Sequence, residues 1–290
     1  MISSLTLGTV QFGLQYGIAN QVGQISLGEA SNILQEAWEN GVRTLDTAVA
    51  YGESEQVLGQ IGVNDWSVVS KLPPLPTDVS LVHEWVDSTI ASSLSRLKVN
   101  NLAGLLLHNS ANLLEEKGEE LYAALARLKR QGIVKKIGIS IYDVKDIDSY
   151  LAKYELDIVQ LPLNVFDRRL IRSGRIDQFT AMGIEIHVRS VFLQGLLLME
   201  SKFRPPYFNQ WATLLSKWDD WILQNQITRL EASLGFVGSV SGIDKIIVGV
   251  DSRAHLSEII ENSVRNRLLE IPDEISSEDP NLILPYNWKS

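Results

Sequence analysis

The sequence predicts a (β/α)8 TIM barrel in an α/β chain of one domain. Three observations carry this. Short β-branched or leucine-rich runs alternate with longer amphipathic segments, the alternation yields eight strand-like runs, and no Gly-x-Gly-x-x-Gly turn follows the first of them. A dinucleotide-binding open sheet, the main alternative, is expected to carry that glycine turn. In chain order the first run is Ser4–Thr9, followed by a helical pattern over Leu27–Asn40. Further strands are read at Arg43–Asp46, Ser67–Ser70, Leu102–Leu107, Lys136–Ile139, Ile158–Leu161, Glu185–Val188 and Lys245–Val248. Between them Ser80–Leu97, Leu114–Arg130, Ile147–Tyr154, Ile171–Met182 and Thr228–Val240 space their apolar residues by three and four, the period of a helix with one buried face. Trp211, Trp218 and Trp221 fall at helical spacing and read as a packing face. Residues 1–290 are taken as one barrel domain, with a tail at 271–290 that shows no helical period.

Composition narrows the function. The 290 residues are 45% apolar, with no run long enough to span a bilayer, so a globular, non-membrane protein with a sizeable core is expected. The first residues lack a basic segment followed by an apolar signal core, which makes the cytoplasm the expected location. With 35 acidic and 26 basic side chains the net charge is −9, which disfavours a nucleic-acid partner. The absence of cysteine excludes disulfides, thiolate metal sites and cysteine nucleophiles. Four histidines, at 83, 108, 187 and 255, are too few and too scattered for a metal-dependent barrel hydrolase, so no metal is expected.

Asp46, Tyr51, Lys71 and His108 each stand at or just past the end of a strand-like run. Singly, each has an ordinary reading as a cap, a packing residue, a solvated amine or a strand-end imidazole. Together they are the right types for protonating a carbonyl. A phenol is a weak acid at neutral pH, a lysine ammonium nearby favours its phenolate, and a carboxylate keeps that lysine charged. An imidazole of fixed tautomer can orient the carbonyl by donating a hydrogen bond. In a barrel, catalytic groups come from the C-terminal ends of several strands, and strands two, three and four are neighbours.

The stretch Gly41–Gly59, with Asp46 and Tyr51 in it, then Ser70-Lys71, then Leu105-Leu-Leu-His108, resembles the aldo-keto reductase superfamily. The resemblance runs from Leu7-Gly-Thr to about Glu258. It implies that these four residues form a catalytic tetrad: tyrosine as general acid, lysine and aspartate tuning it, histidine orienting the carbonyl. It implies an NADPH cofactor, with NADH as the alternative, and a small-molecule carbonyl substrate reduced to an alcohol. Ser140 and Gln160 match the family's binders of the nicotinamide carboxamide. Arg189 stands where an aromatic residue stacks on the ring, and Ser190, Phe192, Gln194 and Gly195 occupy the loop that holds the pyrophosphate. Gly249, Ser252, Arg253, His255 and Glu258 match the adenosine-binding turn and helix; Arg253 is the nearest arginine for a 2′-phosphate, and Asp251 would repel that group if it pointed inward. Phe12, Tyr16 and Asn109 are substrate-pocket candidates, and a keto-sugar or other polar carbonyl is the expected substrate. The C-terminal tail reads as a drape over the site or as an acidic surface strap. A monomer or weak homo-oligomer is expected. The alternative function is a nucleotide-binding, redox-sensing accessory protein with little turnover.

Overall fold

The computed structural model describes residues 2–265 and 269–288. Eight parallel strands close a barrel in sequence order: β1 (Leu5–Gly8), β2 (Thr44–Asp46), β3 (Ser67–Leu72), β4 (Gly104–Leu107), β5 (Ile137–Ser140), β6 (Ile158–Pro162), β7 (Glu185–Arg189) and β8 (Lys245–Gly249). Closure comes from pairing of β8 with β1 in the register Leu5 to Ile246 and Gly8 to Gly249. The predicted fold class is the observed one.

Strand side chains alternate between two faces. Leu5, Leu7, Leu45, Val68, Leu105, Leu107, Ile137, Ile139, Val159, Leu161, Ile186, Val188, Ile246 and Val248 share one large buried cluster with the helices packed around the sheet. The opposite parity points into the barrel. There Val69, Leu106 and Ile158 form a separate small apolar cluster, and Asp46, Lys71 and Gln160 share their face, one dipeptide step nearer the strand ends in the case of Lys71 and Gln160. A Cβ at Gly104 would come within 2.9 Å of Ile158 Cδ1, so the absence of a side chain there admits the isoleucine.

Most helices match the expected spans: Leu27–Glu39, Val82–Leu97, Gly118–Arg130 and Arg229–Gly238. The pattern read over Ile171–Met182 is instead two short helices, Arg169–Arg172 and Arg175–Ala181, because Gly174 between them turns to a left-handed φ of 66°. The helix expected to reach Tyr154 stops at Leu151. β3 extends to Leu72, beyond the expected Ser70, and ends where Pro73 removes the next ladder donor. The tryptophans do pack: Trp218 is fully buried on the helix Ala212–Asn225 and stacks on Trp221 at 6.0 Å. No helix among the described residues is long and apolar enough to cross a membrane.

Candidate active site

Asp46 closes β2, Lys71 lies within β3 and His108 follows β4 directly. Adjacent parallel strands in register bring these three ends together, and the turn after β2 carries Tyr51 back over them. Lys71, 1% exposed, donates from Nζ to Asp46 Oδ1 at 2.5 Å and to the Thr47 carbonyl at 3.0 Å. Its ammonium sits 5.0 Å from the Tyr51 ring centroid, and the Tyr51 and His108 rings meet edge to face at 5.8 Å.

Burial pushes the Tyr51 phenol above its ordinary pKa, while the Lys71 cation opposes that rise without cancelling it. The resting phenol is therefore protonated, as a proton donor must be. Burial presses Lys71 toward its neutral form, but Asp46 and Tyr51 together outweigh burial and hold the ammonium above the ordinary lysine value. His108 is depressed to about 4, first by burial and then by Lys71 and Arg189, so its ring is neutral at physiological pH. A neutral imidazole has one N–H donor to offer a carbonyl oxygen.

The turn bearing Tyr51 is pinned by a buried hydroxyl knot. Ser54 Oγ donates to the Thr9 carbonyl at 2.9 Å and lies 3.1 Å from Thr47 Oγ1, while Thr9 Oγ1 donates to the Asp46 carbonyl at 3.1 Å. Backbones approach closely here: a Cβ at Gly13 would fall 1.8 Å from the Tyr51 carbonyl oxygen, and one at Gly52, with φ of 55°, would fall 2.4 Å from the Gly13 carbonyl. Behind the turn, buried Glu55 accepts from Ser70 and Ser93 and pairs with Arg96 at 2.6 Å, tying the helix Ser54–Ile61 to β3 and to Val82–Leu97.

A cavity of about 880 Å³ opens over these groups and continues along the ends of β5 to β8. Ser140, Gln160, Arg189, Ser190, Phe192, Gln194, Gly195, Gly249, His255, Glu258 and Tyr16 line it, as does the tetrad. Gln160 donates to Asp46 Oδ2 at 2.7 Å and accepts from Ser140 Oγ at 3.2 Å, leaving one amide N–H for a guest. After β7, Ser190, Leu193, Gln194 and Gly195 all adopt left-handed backbone, a tight winding of the kind that forms concave amide nests for anions. Buried Asn164 braces that loop by donating to the Ser190 carbonyl at 3.0 Å. The size and the donor set suit a dinucleotide with an amide at one end and phosphates in the middle.

Four expected residues lie elsewhere. Phe12 is fully buried in the main core, because its short helix Val10–Gly13 turns it inward. Asn109 caps the following turn by accepting from the Ala111 N–H. Ser252 caps its helix by accepting from the His255 N–H, and Arg253 points away to pair with Glu36 at 2.7 Å. Asp251, in contrast, faces the cavity. Sequence reasoning missed Gln11: it lines the wall, its Oε1 is buried without a partner among the described residues, and a Cβ at Gly249 would meet its amide at 2.6 Å. Tyr142 was also missed; it stands on the wall as a platform beneath the Arg189 guanidinium at 4.2 Å. Arg168 donates to the carbonyls of Ile271 and Pro272 and does not line the cavity. No group of three or more potential metal ligands occurs among the described residues.

An eight-stranded parallel barrel with a phenol, an imidazole and a lysine–carboxylate pair gathered at the C-terminal ends of its strands has the architecture of the barrel enzymes. Within that class the chain belongs to the aldo/keto reductase family, whose model matches residues 4–270, and it is therefore an oxidoreductase. It is 25% identical over 212 residues to the glyoxal reductase of Bacillus subtilis (strain 168), covering 71% of this chain and 74% of that one. It is 27% identical over 183 residues to an NADH-specific methylglyoxal reductase of Escherichia coli (strain K12), a match spanning 56% of each. Among solved structures, an aldo-keto reductase of Bacillus halodurans in its holo form superposes with a TM-score of 0.74 at 18% identity, covering 94% of this chain and 90% of that one.

Proposed function

We propose that this chain is a nicotinamide-dependent reductase of small polar aldehydes or ketones, with Tyr51 as the proton donor. The observation that carries this reading is the buried Asp46–Lys71 pair set against a protonated Tyr51 and a neutral His108 at the cavity floor. The cofactor supplies the hydride. His108 donates its N–H to the carbonyl oxygen and fixes its direction. Tyr51 delivers its proton to that oxygen, and the Lys71 ammonium stabilises the phenolate that forms. Asp46 keeps Lys71 charged and in place. Ser140 and Gln160 hold the carboxamide, and the left-handed loop after β7 holds the pyrophosphate. The similar proteins named for glyoxal and methylglyoxal reduction favour a small reactive carbonyl over a bulky apolar one.

At the adenosine end the charges favour NADH over the NADPH expected from sequence. Asp251 and Glu258 face the cavity, and Arg253, the arginine assigned to a 2′-phosphate, is engaged by Glu36. Carboxylates at such a position suit ribose hydroxyls and repel a phosphate.

Tyr51→Phe is the test. Turnover of a carbonyl panel should fall by roughly 10²- to 10⁴-fold while cofactor affinity, read by fluorescence titration, stays unchanged. Equal loss of both would give Tyr51 a structural role and remove the proposal's main support.

A further inference from the structure

Among the described residues, one cation beside the reacting groups has no ion-pair partner. Lys71 is matched by Asp46 and His108 is neutral, but Arg189, closing β7, makes no ion pair among the described residues. Its Nη2 donates to the Ile141 carbonyl at 3.1 Å and its Nη1 to Ser190 Oγ at 3.3 Å, and the guanidinium lies over the Tyr142 ring. Neutral oxygens and a ring face hold a guanidinium in place without cancelling its charge. Tyr286, from the C-terminal segment, packs edge-on against Tyr142 at 4.7 Å and backs that platform. The charge reaches the reacting groups: it acts on Tyr51, His108 and Tyr16 alike. The region where a carbonyl meets its hydride donor thus carries a net positive charge.

Resting on the function proposed above, the ring that donates the hydride must lie in contact with a carbonyl carbon whose oxygen is held by Tyr51 and His108. That ring is neutral when reduced and cationic when oxidised. We infer that Arg189 makes the site discriminate by cofactor redox state, holding the reduced form more tightly than the oxidised one. The two forms share their phosphates and adenosine, so every contact outside the ring cancels in the ratio of their affinities. A unit cation beside the oxidised ring, at an effective dielectric between those of protein and water, gives roughly a tenfold preference. The consequence is a site biased toward carbonyl reduction, since the spent cofactor is the form it holds less well.

Calorimetric titration of the full chain with NADH and with NAD⁺ at low salt tests this. Wild type should bind NADH about tenfold more tightly; Arg189→Met should bring the ratio close to one, and Arg189→Lys should keep most of it. Arg189→Gln replaces the methionine variant if that one fails to fold. A wild-type ratio near one, or a ratio that survives removal of the charge, overturns the inference while leaving the reductase reading intact. Failure of wild type to bind either form overturns both.

Discussion

Gln160 donates its side-chain amide to Asp46 Oδ2 at 2.7 Å, across 114 positions of sequence, so the group assigned to the cofactor's carboxamide also grips the carboxylate behind Lys71. Its N–H partly offsets the Asp46 charge. Gln160→Met should therefore weaken cofactor binding and, by leaving the carboxylate more negative, raise the Tyr51 pKa. The alkaline limb of kcat/KM against pH moves upward. Ser140→Ala should lower cofactor affinity with that limb unmoved, and matching profiles for the two variants would argue against the coupling.

Asp46→Asn strands a fully buried ammonium. Breaking a buried pair from one side costs about 3–5 kcal/mol, so the variant should unfold at markedly lower denaturant. Asp46→Asn combined with Lys71→Met should recover much of that loss yet remain inactive. A double variant no more stable than the single one would mean the cost arises elsewhere.

The contact of Gly13 with the Tyr51 carbonyl admits no side chain. Gly13→Ala forces a backbone shift costing about 1–3 kcal/mol and moves the phenol. Turnover should drop steeply while cofactor affinity holds, because the cofactor grip comes from the other side of the barrel. Steady-state kinetics beside a cofactor titration separates the two.

His108 titrates near 4 in the folded chain and at 6.5 when unfolded. As pH falls below 6.5 the unfolded state takes up a proton that the folded state refuses, so stability declines between 6.5 and 4. His108→Gln should flatten that part of the melting-temperature profile. Equal slopes in both proteins would show that other groups set the acid limb.

Asp251→Asn removes one carboxylate from the part of the cavity proposed to take the adenosine. NADPH affinity should rise several-fold with NADH affinity nearly constant, measured by parallel titrations. A parallel change in both would place Asp251 away from the 2′ position.

The barrel and the tetrad were legible because both are written in short-range pattern. Strand parity and strand-end position are local properties, and Asp46, Lys71 and His108 inherit their convergence from neighbouring strands. Orientation was not legible. Phe12 has the composition of a pocket residue and the burial of a core residue, a difference set by how Val10–Gly13 turns. Arg253 reads as a phosphate ligand until Glu36, on a helix far back in the chain, draws it outward. Gln11 carried no periodic signal, and only packing against Gly249 reveals its unpartnered oxygen.

The cluster of Val69, Leu106 and Ile158 lies on the inner side of Lys71 and Gln160. Apolar side chains offer no relay for a proton, whereas the cavity over Tyr51 is open. Under the proposed function, the proton that Tyr51 gives up would be replaced through the same cavity that admits the substrate and releases the alcohol. Reloading of the acid and exit of product would then share one passage, and anything that narrows the mouth would slow both together.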